Sequence, residues 1–145
     1  MSEEFYEGSC LCGRVHVSVK REGAIPAVCN CRHCQKQTGS AFSTVLLAPL
    51  GNIVVTGALS EYADVNDAGD AVVRMFCPNC GSPVQTRSVN DEAAGMGVVK
   101  AGLLDGGAPA PVVEVFRRSA FPWVPDLPSK RRFEAAFIAD PAGAG

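Results

Sequence analysis

The sequence predicts one mainly β domain of packed antiparallel sheets with little helix. Three observations carry that reading. Short runs of alternating apolar and polar residues recur along the chain, the period of a strand with one buried face. The 145 residues include 15 Gly and 10 Pro, which separate most of these runs and favour short elements joined by turns. Seven cysteines fall into three tight groups that can staple such elements together. A hydrophobic fraction of 47% against 19% charged residues supports a packed core and excludes a wholly disordered chain.

The elements follow in order. Val15-His16-Val17-Ser18-Val19-Lys20 alternates cleanly and reads as a half-buried strand. Ser43–Leu47, Ile53–Thr56, Ala71–Met75, Gly97–Lys100 and Val112–Phe116 are further short strands. One helical turn is expected after Cys31, through Cys34-Gln35-Lys36-Gln37, with Gly39 stopping it. Lys130–Ile138 fits either a helix or a strand. No repeat and no long linker divides the chain, so residues 1–139 read as a single domain and residues 140–145 as a flexible C-terminal tail.

Thirteen basic and fifteen acidic residues give a net charge of −2, without the basic surplus of a dedicated nucleic-acid binder. The first residues, Met1 to Glu7, hold three Glu and no basic residue, unlike a secretory signal. The longest apolar run, Val45 to Leu50, is interrupted by Pro49 and falls far short of a membrane span. A cytoplasmic location is expected, with no nucleic-acid or membrane partner. In that compartment thiols stay reduced, and grouped cysteines point to metal binding or chemistry more than to disulfides.

The cysteine groups are Cys10-Leu11-Cys12, Cys29-Asn30-Cys31-Arg32-His33-Cys34 and Cys77-Pro78-Asn79-Cys80. Such spacings let one turn aim two thiolates at a single ion, and thiolate is a soft ligand suited to zinc. Gly13 and Gly81 follow the first and last groups and Pro78 lies within the last, allowing the backbone to fold closely around sulfur. Seven ligands divide as four plus three. Cys10, Cys12, Cys77 and Cys80 make a closed structural zinc site. Cys29, Cys31 and Cys34 make a second site with a position left for water or substrate, as a catalytic zinc requires. Completion of that second site by His16 or His33 is the alternative, and would make it structural too.

Gly8-Ser9-Cys10-Leu11-Cys12-Gly13, the Cys29-x-Cys31-x-x-Cys34 run with Thr38-Gly39-Ser40 behind it, and Phe76-Cys77-Pro78-Asn79-Cys80-Gly81 resemble the glutathione-dependent formaldehyde-activating enzyme family, which includes the centromere protein V domain. The resemblance runs from about Glu7 to Pro125, and Ser119-Ala120-Phe121-Pro122-Trp123 is similar to the family's aromatic C-terminal segment. It implies a β-tent-like fold and two zinc ions per chain. The structural one falls on Cys10, Cys12, Cys77 and Cys80, the catalytic one on Cys29, Cys31 and Cys34. It also implies carbon–sulfur lyase chemistry, joining formaldehyde to the thiol of glutathione or a similar small thiol to give an S-hydroxymethyl adduct.

Three thiolates leave a zinc(II) site one net negative charge and weaken it as a Lewis acid, so a nearby donor is expected; Arg32, His33 and Lys36 are the local candidates. Arg117-Arg118 could grip a carboxylate but reads more simply as an exposed strand end. Lys130-Arg131-Arg132 reads as a wet surface, Trp123 as a packing anchor, and Asp91-Glu92 as a loop pair without partner. Two function classes remain: a zinc-dependent lyase of small thiol adducts, and a non-catalytic zinc-stabilised binding module. A thiol–disulfide exchanger based on Cys77 and Cys80 lacks the βαβ surroundings it needs.

Overall fold

The computed structural model describes residues 4–135. Eleven strands are present in them: β1 (Phe5–Ser9), β2 (His16–Lys20), β3 (Ile25–Cys29), β4 (Ser43–Pro49), β5 (Ile53–Thr56), β6 (Ser60–Val65), β7 (Ala71–Phe76), β8 (Pro83–Ser88), β9 (Met96–Lys100), β10 (Val113–Val115) and β11 (Arg131–Arg132). Two short helices, α1 (Arg32–Thr38) and α2 (Val89–Ala93), interrupt them. A three-stranded sheet, β1-β2-β5, packs on an eight-stranded sheet ordered β11-β10-β3-β4-β9-β8-β7-β6.

Strand register divides the large sheet into two chemically different faces, because side chains alternate sides along every strand. Leu46 lies opposite Val99, and Val99 opposite Gln85. With Ala48 and Val84, Leu46 and Val99 meet Val17 and Val19 of the small sheet, and Val15 just before β2, in the buried core. Gly8 in β1 lets the small sheet approach this core closely. A Cβ there would collide with the backbone of Leu103 and Leu104, so the Gly8–Leu104 bridge needs glycine. On the opposite face the register aligns Cys29 with Ser43 and Lys100 with Val45, and further along aligns Arg74 with Thr86. That second face carries charge chemistry instead of a sheet partner.

The expected strands are all present, with ends shifted by one or two residues. β1, β3, β6 and β8 were not anticipated, because their sequences obscure the period. Gly8 and Pro26 interrupt β1 and β3, and β6 is an edge strand with mixed exposure. The antiparallel expectation holds for most of the pairing, but β10 runs parallel to both β3 and β11. Of Lys130–Ile138, Arg131–Arg132 is a strand, and residues 136–138 lie outside the described residues, as do residues 140–145. Among the described residues, no helix is long and apolar enough to cross a membrane.

Candidate metal centres

Cys10 follows β1 and Cys77 follows β7, so the first cluster joins the small sheet to the large one. The Sγ atoms of Cys10, Cys12, Cys77 and Cys80 all lie within 4.8 Å of one another. Cys12 Sγ is 3.6 Å from Cys10 Sγ and 3.7 Å from Cys77 Sγ. Tight backbone turns aim these sulfurs. Cys10 N–H bonds Val15 O at 2.9 Å, and Gly81 N–H bonds Cys77 O at 2.9 Å. Amides also donate to sulfur directly: Val15 N–H to Cys10 Sγ at 3.2 Å and Asn79 N–H to Cys77 Sγ at 3.4 Å. Ser82 Oγ lies 3.2 Å from Cys80 Sγ and accepts Leu11 N–H at 3.1 Å. Hydrogen bonds from the Ser82 side chain and backbone hold the Cys80 thiol down to about 5, well within reach of ionisation at neutral pH.

Cys29 ends β3, while Cys31 and Cys34 stand at the first turn of α1. The Cys31 side chain caps the helix, accepting the Cys34 N–H at 3.2 Å. Gly39, in the left-handed conformation at φ 67°, closes it by donating to Gln35 O. This places the three Sγ atoms within 4.8 Å of one another, with Cys31 and Cys34 buried. Buried Gln35 fixes the turn, donating through Nε2 to Asn30 O at 2.9 Å and Ser119 O at 3.0 Å. The segment after β10 is thereby strapped across α1.

Two buried cations lie beside this cluster. Arg74, 4% exposed, points Nη1 at Cys34 Sγ (3.8 Å) and donates Nε to Asp64 at 2.7 Å. Lys100, 6% exposed, donates Nζ at 2.8 Å to the Oγ of Ser43, the residue that pairs with Cys29. Hydrogen bonds from Cys29 and Cys31, then the charges of Lys100 and Arg74, hold the Cys34 thiol far below its ordinary range. The same contacts with Cys31 and Cys34, with burial, push the Cys29 thiol up. Burial pulls the Lys100 ammonium down against the opposing pull of the cysteine charges.

The residues expected to supply positive charge are placed differently. Arg32 and Lys36, four apart on α1, are exposed and line a groove of about 350 Å³ with Gly39, Ser40 and Phe121. Arg32 Nη1 donates to Gln35 Oε1 at 2.6 Å, and its guanidinium lies 5.8 Å from the centre of the Phe121 ring. His33 turns to acidic partners, with Nδ1 3.0 Å from Asp64 and Nε2 3.4 Å from Asp67. His16 is exposed in β2. Among the described residues neither histidine joins a cysteine cluster. Arg74 and Lys100 escaped sequence reasoning because they lie some 40 and 66 residues from Cys34 along the chain. The one available signal was a Lys ending an otherwise apolar run, Gly97-Val98-Val99-Lys100.

Other sequence expectations also change. Trp123 is 74% exposed and stacks on Phe121 at 5.8 Å instead of anchoring a core. Arg117 is held internally by buried Glu114 (2.8 Å) and by Asp126 (3.0 Å). Asp91 and Glu92 sit in α2, not a loop. Asp91 N–H donates to the Ser88 cap at 3.1 Å, and Glu92 pairs with Arg87 at 3.7 Å.

The donor chemistry of both clusters fits zinc. Zinc–sulfur bonds of about 2.3 Å in a tetrahedron give sulfur–sulfur edges of about 3.8 Å. The 3.6 and 3.7 Å separations of the first cluster match that edge. The second offers three thiol donors within compatible reach and no fourth protein donor among the described residues.

Two β sheets carrying a four-cysteine and a three-cysteine cluster mark the protein as a thiol-rich β domain. Residues 5–119 match the model of the glutathione-dependent formaldehyde-activating enzyme family, and the chain belongs to that family. An Aspergillus flavus protein, provisionally named a glutathione-dependent formaldehyde-activating enzyme, is 31% identical over 99 residues, 66% of this chain and 51% of that protein. A similarly named Phaeosphaeria nodorum protein is 32% identical over 93 residues, 61% of this chain and 48% of its own length. A Schizosaccharomyces pombe protein described as an uncharacterized lyase is 29% identical over 77 residues, 53% of each chain. The chain thus spans about half the length of the curated relatives it matches. A Rhodobacter sphaeroides crystal structure shares the fold at a TM-score of 0.55 and 24% identity, covering 71% of this chain and 91% of that one.

Proposed function

We propose that the protein is a zinc-dependent carbon–sulfur lyase that interconverts formaldehyde, a small thiol such as glutathione, and their S-hydroxymethyl adduct. Cys10, Cys12, Cys77 and Cys80 would hold a structural zinc, and Cys29, Cys31 and Cys34 a catalytic one. The observation that carries the reading is the convergence of three thiols, within 4.8 Å of one another, beside two buried cations in a chain of this family. In the forward direction the thiol S–H bond and the carbonyl π bond break, one sulfur–carbon bond forms, and the former carbonyl oxygen takes up a proton as the hydroxyl. Zinc held by Cys29, Cys31 and Cys34 would supply Lewis-acid chemistry, which favours the thiolate form of a thiol and polarises a carbonyl.

The protein's own residues do the rest. Arg74 and Lys100 stabilise the ligand cysteines as thiolates. Gln35, bonded to Asn30 O and Ser119 O, holds the cysteine turn rigid. Arg32 and Lys36 present two cations along the adjoining groove, suited to the carboxylates of a glutathione-like peptide. Phe121 gives that groove an apolar wall. This chemistry needs reduced thiols and fits a cytoplasmic setting.

Exchange NMR of formaldehyde and glutathione tests the proposal by measuring interconversion with the adduct above the spontaneous rate. Zinc-replete protein should accelerate exchange, and Cys31→Ser should not. Zinc-replete protein that accelerates exchange with none of several small thiols would leave a zinc-stabilised binding module as the better reading.

A further inference from the structure

Arg74 and Lys100 are unlike one another in what they balance. Arg74 is already matched by a carboxylate, Asp64, at 2.7 Å. Lys100 is not: among the described residues its ammonium meets the Ser43 hydroxyl at 2.8 Å and forms no ion pair with a carboxylate. An ammonium this deeply buried is costly unless anions lie close by. The register identifies them. Lys100 pairs with Val45 in β4, its Nζ reaches two residues along that strand to Ser43, and Ser43 pairs directly with Cys29. The partners of the Lys100 charge are therefore the thiolates of the three-cysteine cluster.

Charge counting then separates the two centres. Four thiolates around a divalent ion carry two net negative charges, and the polar groups facing that cluster are backbone amides, Ser82 and the Asn79 side chain, none of them a full charge. Three thiolates around the same ion carry one, which Lys100 cancels, while Arg74 and Asp64 cancel each other. A neutral centre accepts an anion; a negative one repels it.

We propose that Lys100 is a specificity-determining residue that makes the three-cysteine centre select a soft anionic ligand, a thiolate above all, over a neutral one. This rests on the reading that Cys29, Cys31 and Cys34 hold a metal. A thiol binding there does so as its thiolate and passes its proton to the buffer. The residue acts by charge, without touching the reacting atoms.

The experiment is titration of the cobalt-substituted full chain, following the metal's absorption bands, with 2-mercaptoethanol and thiocyanate as anionic probes and imidazole as the neutral one. Lys100→Met should weaken both anionic probes about tenfold or more and change imidazole affinity less than threefold. Lys100→Arg, which keeps the charge, should retain most of the anion preference. Equal losses for anions and imidazole, or no loss, would overturn the proposal. If Lys100→Met does not fold, the native protein decides, since a native centre that prefers imidazole to thiocyanate contradicts it. Failure of the underlying metal reading looks different. The native protein would take up one metal per chain, Cys31→Ser would not reduce it, and no band would respond to thiol; that result overturns both.

Discussion

The two cysteine clusters use the same donor atom but are supported by different parts of the protein. Around Cys10, Cys12, Cys77 and Cys80 the supporting groups are largely backbone amides and one serine hydroxyl, all within the β1–β2 turn of the small sheet and the β7–β8 turn of the large one, which the cluster brings together. Around Cys29, Cys31 and Cys34 they include side-chain ions on β6, β7 and β9, far away in sequence. Amide dipoles stabilise thiolates without adding net charge, so the first cluster is complete in itself and suited to holding sheets together. Buried ions set net charge, so on the proposed function the second is tuned for what it can still accept. On that reading, what would distinguish a staple from a reactive centre is less the cysteines than the charge behind them.

The largest effect that can break this comparison comes from the ligands themselves. Cys77 is 1% exposed within the core, at the junction of the sheets. Structural zinc sites contribute on the order of 10 kcal/mol or more to folding, comparable with the whole stability of a domain. Cys77→Ser should therefore lose cooperative folding, seen as loss of the far-ultraviolet dichroism and thermal transition. Cys31→Ser should remain folded and fall from two zinc ions per chain to one. Equal unfolding in both variants would show that the clusters do not divide structural from reactive duty.

A smaller effect sharpens the role of the ions. Asp64→Asn removes the carboxylate that pairs with Arg74 at 2.7 Å, where the guanidinium is 4% exposed. Breaking such a pair costs about 3 kcal/mol, read as a lower urea midpoint. The loss should depend on pH. Burial works to raise the Asp64 pKa, but hydrogen bonds from Arg74, the Val65 amide and His33 hold it below the ordinary 3.8. A carboxyl depressed in the folded state contributes its full stability above the unfolded pKa and loses it as pH falls through the folded one. The difference between the native protein and Asp64→Asn should thus be constant above about pH 5 and shrink below about pH 4. A difference that instead grew in acid would remove Asp64 from this role.

The same contrast explains what was legible in the sequence. The cysteine clusters were legible because the turns that gather them are local: Cys31 to Cys34 is one helical turn, and its Gly39 stop is needed for a left-handed cap. Strands such as Val15–Lys20 were legible because one face is buried and the other is not. The ions were not, because Arg74 and Lys100 reach the cluster only through strand register, which no single segment specifies. Sequence proximity favoured Arg32, His33 and Lys36 as charge donors, yet the pitch of α1 turns Cys34 inward and leaves Arg32 and Lys36 in solvent. Trp123 misled for a related reason. An aromatic between prolines promises burial, but stacking on half-buried Phe121 satisfies it at the surface.

The smallest expected effect concerns the outer groove and separates binding from chemistry. Arg32 and Lys36 are exposed, so each contributes no more than about 1 kcal/mol to holding a carboxylate, and less at high salt. Arg32→Ala and Lys36→Ala should each raise KM for glutathione up to about fivefold and leave kcat unchanged. Neither should alter KM for 2-mercaptoethanol, which carries no carboxylate. A hollow along the small sheet, formed by residues of β1, β2 and β5, provides the contrast. It is lined by Glu7 and Asp105 with His16, an arrangement that does not favour an acidic peptide, so Glu7→Gln should leave both KM values where they are. Losses of equal size for glutathione and 2-mercaptoethanol in the Arg32 and Lys36 variants would show that these cations act on the reactive centre, contrary to the division of labour between surface groove and buried Lys100.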